Sequence, residues 1–165
     1  GASGGTGLRA LQGLVNAGYA PSNIRVLSRN VEKPLMVELR DCMGFSTVEA
    51  DLDCKDDNDL SRLETAMRGC VGIYIHSTSS DTKKLDTGEE DRARNLLKAI
   101  ARSNSDIRHV VYNSAAAETG HGVDRIAQKH AVERLFESEE CPDTVRFTSL
   151  RAFLFMEELW KDYTR

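Results

Sequence analysis

The chain opens on GASGGTG, in which Gly1, Gly4 and Gly7 stand three apart and a helical pattern begins at once. Residues this small let a backbone approach a diphosphate closely, while the free N–H groups and dipole of a helix N-terminus point at its negative charge. The turn is therefore a candidate anion cradle. A nucleoside-triphosphate loop needs Lys and then Ser or Thr after its last glycine; Leu8 and Arg9 stand there instead, which disfavours an ATPase or GTPase. Glycines alone would serve equally as a flexible turn or a helix cap. Further on, where an acidic residue would bond the ribose hydroxyls of NAD, the sequence has Ser28, Arg29 and Asn30, with Lys33 a turn later. A guanidinium here pairs charge with charge on a 2′-phosphate, so the cofactor implied is NADP, NADPH when reduced. The competing reading is a solvated basic rim balanced by Glu32. Asp51 and Leu52, at the end of the next strand, fall where an adenine edge would lie, although Asp51 also suits a turn cap.

Such residues act together only if helices and strands carry them to one edge of a sheet. Leu8, Leu11, Leu14 and Val15 form one apolar helix face between Thr6 and Gly18, with Gly18 as the stop. A strand follows over Ile24–Leu27, then a helix from Pro34 to about Asp41, because proline's missing N–H has no intrahelical partner in a first turn. Phe45 to Ala50 reads as a strand. The acidic stretch Asp51, Asp53, Asp56, Asp57 and Asp59 opens a helix from about Asn58 to Arg68, its carboxylates complementing the helix dipole. The alternation continues with a strand over Cys70–His76, a helix over Thr87–Arg102, a strand over Ile107–Asn113, a helix over Val123–Ser138, a strand over Val145–Arg151 and a last helix from about Phe153. Strict alternation predicts a doubly wound parallel α/β sheet. The long polar connection from Ser77 to Asp86 is a place where ligands bind. In the strand order 3-2-1-4-5-6 the glycine turn follows the central strand, so we expect that strand upstream of Gly1 and read residues 1–165 as one dinucleotide-binding domain, incomplete at both ends.

Composition narrows the partners. Twenty-two Lys plus Arg against 26 Asp plus Glu give a net charge of -4, which sets nucleic acid aside as a primary partner. Hydrophobic residues at 40% supply one core for 165 residues, and no apolar run approaches a membrane span. Cys42, Cys54, Cys70 and Cys141 form no Cys-x-x-Cys pair and lie at no zinc-ligand spacing, so four reduced thiols are expected and no metal site. Because the sequence starts at Gly1 rather than Met, localisation stays open.

Taken together, the motifs resemble the NmrA-like branch of the atypical short-chain dehydrogenase/reductases. Counting the expected upstream strand as the first, GASGGTG matches G-x-x-G-x-x-G, VLSRN follows the second strand, EADLD the third and VVYNS the fifth. QKHAVERLF resembles that family's helix with a Lys followed by an acidic residue, and TSLRAFLFMEEL its strand and turn, with Ala152 where the family has Pro. The resemblance covers nearly the whole chain. It implies an NADP-binding Rossmann domain and a smaller C-terminal substrate lobe lying mostly beyond Arg165. It also implies that Gly1, Ser3, Gly4, Thr6 and Gly7 hold the pyrophosphate, and Arg29 and Lys33 the 2′-phosphate. Ser77 and Thr78 would flank the cofactor, Ser114 would face the nicotinamide and polarise a substrate oxygen, and Lys129 would reach the nicotinamide ribose.

In relatives with hydride chemistry a Tyr four residues before the Lys donates the proton. Here that position is Arg125, whose very high pKa forbids the role. His130, His121 and Tyr112 are the substitutes on offer, yet Lys129 and His130 diverge by about 100 degrees on a helix. Lys129 also has a plain reading, as a solvated partner of Glu133. Two functions follow: an NADPH-dependent oxidoreductase on a small carbonyl or conjugated substrate, or a non-catalytic NADPH-binding regulator or accessory subunit with protein partners, which Arg125 favours. A sugar-nucleotide epimerase or dehydratase is weaker, since it too needs the absent Tyr.

Overall fold

The computed structural model describes residues 2–76, 88–103, 106–116 and 124–152, the side chains of Asp124 and Arg125 excepted. Gly1, Ser77, Thr78, the connection to Asp86, His121 and the helix expected from Phe153 lie outside the described residues.

Helix α1 (Gly5–Asn16) ends as its sequence demands. Gly18 takes φ +95°, its N–H donates to the Val15 carbonyl at 3.0 Å, and the Tyr19 N–H reaches Leu14 at 3.1 Å. That left-handed turn is open to glycine at little cost. Strand β1 (Arg25–Ser28) follows, then α2 (Pro34–Asp41), which Pro34 starts. Strand β2 (Ser46–Glu49) leads to α3 (Asp57–Met67), where the Asp56 carboxylate accepts the Asp59 N–H at 2.9 Å and Asp59 in turn accepts the Lys55 N–H at 3.1 Å. The first bond satisfies an amide that a helix start leaves orphaned, and the second ties down the residue before the cap. Strand β3 (Gly72–Ile75), α4 (Glu89–Arg102), β4 (His109–Ala115), α5 (Asp124–Phe136) and β5 (Arg146–Ala152) complete the alternation.

Among the described residues every strand pair is parallel, and the strands fall into two sheets. β1 pairs with β2 from Arg25↔Ser46 to Ser28↔Glu49. β4 lies between β3 and β5, with Tyr112 opposite both Ile75 and Ser149. The two sheets fit the order 3-2-1-4-5-6 without its strand 1: Ile24, Val26 and Leu27 line an apolar slot from one side and Ile73 and Ile75 from the other. Each half has its own core. Leu11, Ile24, Val26, Met36, Leu39 and Phe45 are buried in the first, whereas the second packs residues of α3, α4 and α5 against β3 to β5, with Leu63, Val110 and Tyr112 fully covered. Arg25 links the halves by donating from Nη1 to the Ala66 carbonyl at 2.6 Å and the Arg68 carbonyl at 2.8 Å, at the negative end of α3. No helix among the described residues is long and apolar enough to cross a membrane.

Candidate functional site

A cavity of about 310 Å³ runs from the slot to the C-terminal ends of the strands. In open parallel sheets that is where ligands sit. Ser3 and Gly7 line it from the start of α1, Arg29 and Lys33 from the turn after β1, Asp51 and Leu52 from the turn after β2, and His76 from the end of β3. Gly4 is the N-cap of α1 and Thr6 lies in its first turn, though neither lines the cavity. Gly4 has no side chain to close the helix end, and no side-chain cap bond forms there among the described residues. The first amides of α1 are thus left to an external acceptor.

Local turns explain how the cations are presented. The Ser28 hydroxyl accepts the Asn30 N–H at 3.2 Å and donates to the Asn30 carbonyl at 2.9 Å, while the Asn30 carboxamide oxygen accepts the Glu32 N–H at 2.9 Å. These side-chain turns hold the backbone and leave Arg29 and Lys33 exposed. Glu32 is turned to Arg40, 3.4 Å away, so it does not neutralise them. A planar guanidinium and an ammonium on one rim suit a phosphate dianion. Asp51 makes the turn bond that its sequence position allowed. It lines the cavity, and its Oδ1 accepts the Asp53 N–H at 3.1 Å. The loop is held onto α4 by Arg92, whose Nε reaches Asp53 at 2.6 Å, and by the Asn95 amide on the Leu52 carbonyl at 2.9 Å.

At the other end a polar network joins residues far apart in sequence. Glu89, first residue of α4, accepts from the Tyr112 hydroxyl and from Lys129 Nζ at 3.1 Å; the ammonium also reaches the Asn113 carbonyl at 3.1 Å and lies 5.2 Å from the centre of the Tyr112 ring. The Glu89 N–H donates to the Gln128 side chain at 3.3 Å, tying α4 to α5. Lys129 is therefore not a solvated partner of Glu133. Glu133 is itself buried and accepts from Arg151 Nε at 3.0 Å and Nη2 at 2.7 Å, and from the Ser149 hydroxyl. Burial alone would raise its pKa, but these donors and the Ser114 hydroxyl nearby outweigh it and hold the carboxyl at about 2. Ser114 is buried at the end of β4, and its hydroxyl leans toward Glu133 short of hydrogen-bond geometry. His130 buries Nε2 without a partner among the described residues. The Arg125 backbone lies in the first turn of α5.

Two residues escaped the sequence reading. Glu89 looks like an ordinary acid in a helix's first turn, and only packing brings Lys129 to it. His76 is the last residue of an apolar stretch. Its Nδ1 lies 3.1 Å from the Asn113 amide nitrogen, and burial, then the Lys129 charge, hold its pKa below the usual value while Glu89 opposes them.

No family model matches the sequence. No curated protein matches it either. Solved structures do resemble it. An NADPH-dependent quinone oxidoreductase from Escherichia coli, determined with NADPH, superposes with a TM-score of 0.73 at 18% identity over 99% of this chain and 51% of that one. A Citrobacter sp. triphenylmethane reductase, determined with NADP(H), gives 0.72 at 20% identity over 96% and 50%. A Staphylococcus aureus nucleoside-diphosphate-sugar epimerase gives 0.70 at 16% identity over 96% and 50%. The chain thus spans about half the length of these proteins. Likeness at such identities speaks for architecture, and with the parallel alternation described above it makes this chain a Rossmann-type α/β domain.

Proposed function

We propose that this chain is the NADP-binding part of an NmrA-like oxidoreductase that reduces a small carbonyl or conjugated substrate with NADPH. The observation that carries the reading is the convergence on one cavity of a helix N-terminus with no side-chain cap bond among the described residues and two exposed cations, with Glu32, which lies between them in sequence, paired with Arg40. In this reading the amides near Gly4 and Gly7, with Ser3 and Thr6, hold the pyrophosphate. Arg29 and Lys33 take the 2′-phosphate, and Asp51 and Leu52 border the adenine. The family resemblance assigns Gly1, Ser77 and Thr78, which lie outside the described residues, to the same cofactor, and Lys129 serves the nicotinamide ribose with Ser114 beside it. Reduced nicotinamide supplies the hydride when bound; the chain's own residues bind it, orient it and exclude water. The solved proteins determined with NADPH or NADP(H) favour the same choice of cofactor.

A second reading has its own observation. Lys129 is already held by Glu89 and Asn113, and Arg125 cannot donate a proton, which suits a dinucleotide-binding regulator or accessory subunit that performs no reduction. Fluorescence of bound NADPH, followed with and without a panel of carbonyls and quinones, separates them. The enzyme reading expects NADPH oxidation that Lys129→Ala abolishes. Tight binding with no turnover across the panel overturns it in favour of the regulator.

A further inference from the structure

The oxidoreductase reading lacks a group to meet the charge that reduction puts on the substrate's oxygen. The Tyr112 hydroxyl is engaged by Glu89, and its side chain is fully buried. Lys129 is held between Glu89 and the Asn113 carbonyl. Ser114 is buried and does not line the cavity. Arg92, which also lines the cavity, is paired with Asp53. His76 differs from all of these. It lines the cavity at the end of β3, and the Asn113 amide donates to its Nδ1 at 3.1 Å. An imidazole that accepts at Nδ1 carries its proton on Nε2, and Nε2 has no hydrogen-bond partner among the described residues.

We propose that His76, fixed in its Nε2–H tautomer by Asn113, is the catalytic hydrogen-bond donor to the substrate's carbonyl oxygen. The inference rests on the oxidoreductase reading and supplies what Arg125 denies it. As hydride adds to the carbonyl carbon, or to the far carbon of a conjugated system, the displaced π pair moves onto oxygen. The Nε2–H stabilises that oxyanion, and a proton from water then completes the alcohol or enol, leaving the imidazole unchanged. A neutral imidazole is the right form for this work, since a hydrogen bond aimed at developing charge needs no proton transfer from the ring. The charged groups acting on the ring agree with neutrality. Burial and the Lys129 ammonium on α5 disfavour a second proton, against partial opposition from Glu89 on α4.

The test has two parts, both on the full chain. Nitrogen-15 NMR of the histidine rings without cofactor should find His76 neutral at pH 7 as the Nε2–H tautomer, with Asn113→Ala moving it toward a mixture and Asn113→Asp toward Nδ1–H. Stopped-flow oxidation of NADPH by 2-cyclohexen-1-one or menadione should lose about 100-fold in kcat in His76→Leu, with NADPH affinity unchanged and partial recovery in His76→Gln. An Nδ1–H or charged ring at pH 7, or an unaltered kcat in His76→Leu, overturns the inference while leaving cofactor binding intact. If the unaltered protein binds NADPH but reduces neither acceptor, the oxidoreductase reading falls, and this inference with it.

Discussion

The two halves of the molecule treat charge in opposite ways. Around β1 and β2 the cations at the cavity rim, Arg29 and Lys33, stand exposed, and the acid beside them is turned away to Arg40. Around β3 to β5 the charges are paired with one another: Glu89 with Lys129, and the buried Glu133 with the more exposed Arg151. A charge held by the fold contributes to stability and orientation, whereas one left to solvent is available to a ligand. The difference suggests that the first half selects the nucleotide and the second holds the reacting end rigid.

Glu89→Ala tests the inner half most severely. It leaves the partly buried Lys129 ammonium without its carboxylate, and we expect a loss of about 3 kcal/mol in denaturant unfolding, as for other broken buried pairs. A loss under about 1 kcal/mol would mean that the network is not structural.

Acid should expose the same half next. His76 and Glu133 both have depressed pKa values in the folded state, so each adds stability above its unfolded value that disappears as pH falls. His76 begins this decline as pH drops through the ordinary histidine range near 6.5, and Glu133 continues it from 4.5 toward about 2. The Glu133 part should be on the order of 3 kcal/mol. Glu133→Gln should remove the lower limb from an unfolding-against-pH curve, and a limb that survives would assign the loss to other carboxylates.

Smaller effects sharpen the contrast. Asp56→Ala should cost about 1 kcal/mol, read as a lowered midpoint, because α3 loses its N-cap. Arg29→Ala and Lys33→Ala should leave unfolding within about 0.5 kcal/mol of the parent, since neither residue supports the fold. A larger drop would show that these cations are structural and would erase the distinction between the halves.

Much of the fold was legible because its signals are local. Pro34 starts α2 and Asp41 ends it as expected, Gly18 stops α1, and the acidic stretch caps α3 at Asp56. Strand ends were less so. β3 is shorter than the apolar stretch from Cys70 to His76, and β4 runs on to Ala115 because its pairing with β5 extends to Ala152, a register that no local pattern encodes. The cavity rim around Ser3, Gly7, Arg29, Lys33, Asp51 and Leu52 was legible too, since each residue sits at the end of a strand or the start of a helix. The inner network was not. Glu89 and Lys129 are 40 positions apart, Asn113 and His76 37, and the pairings arise only when α4, α5 and β4 pack together.

We propose that the helix start near Gly4 and the Arg29 rim hold a dinucleotide bearing a 2′-phosphate. Calorimetric titration of the unaltered protein and of Arg29→Ala with NADPH and with NADH tests it most directly. We predict that NADPH binds at least about tenfold more tightly than NADH and that Arg29→Ala removes most of this preference, as loss of a charge-assisted hydrogen bond requires. Equal affinity for the two, or no binding at millimolar dinucleotide, would contradict it.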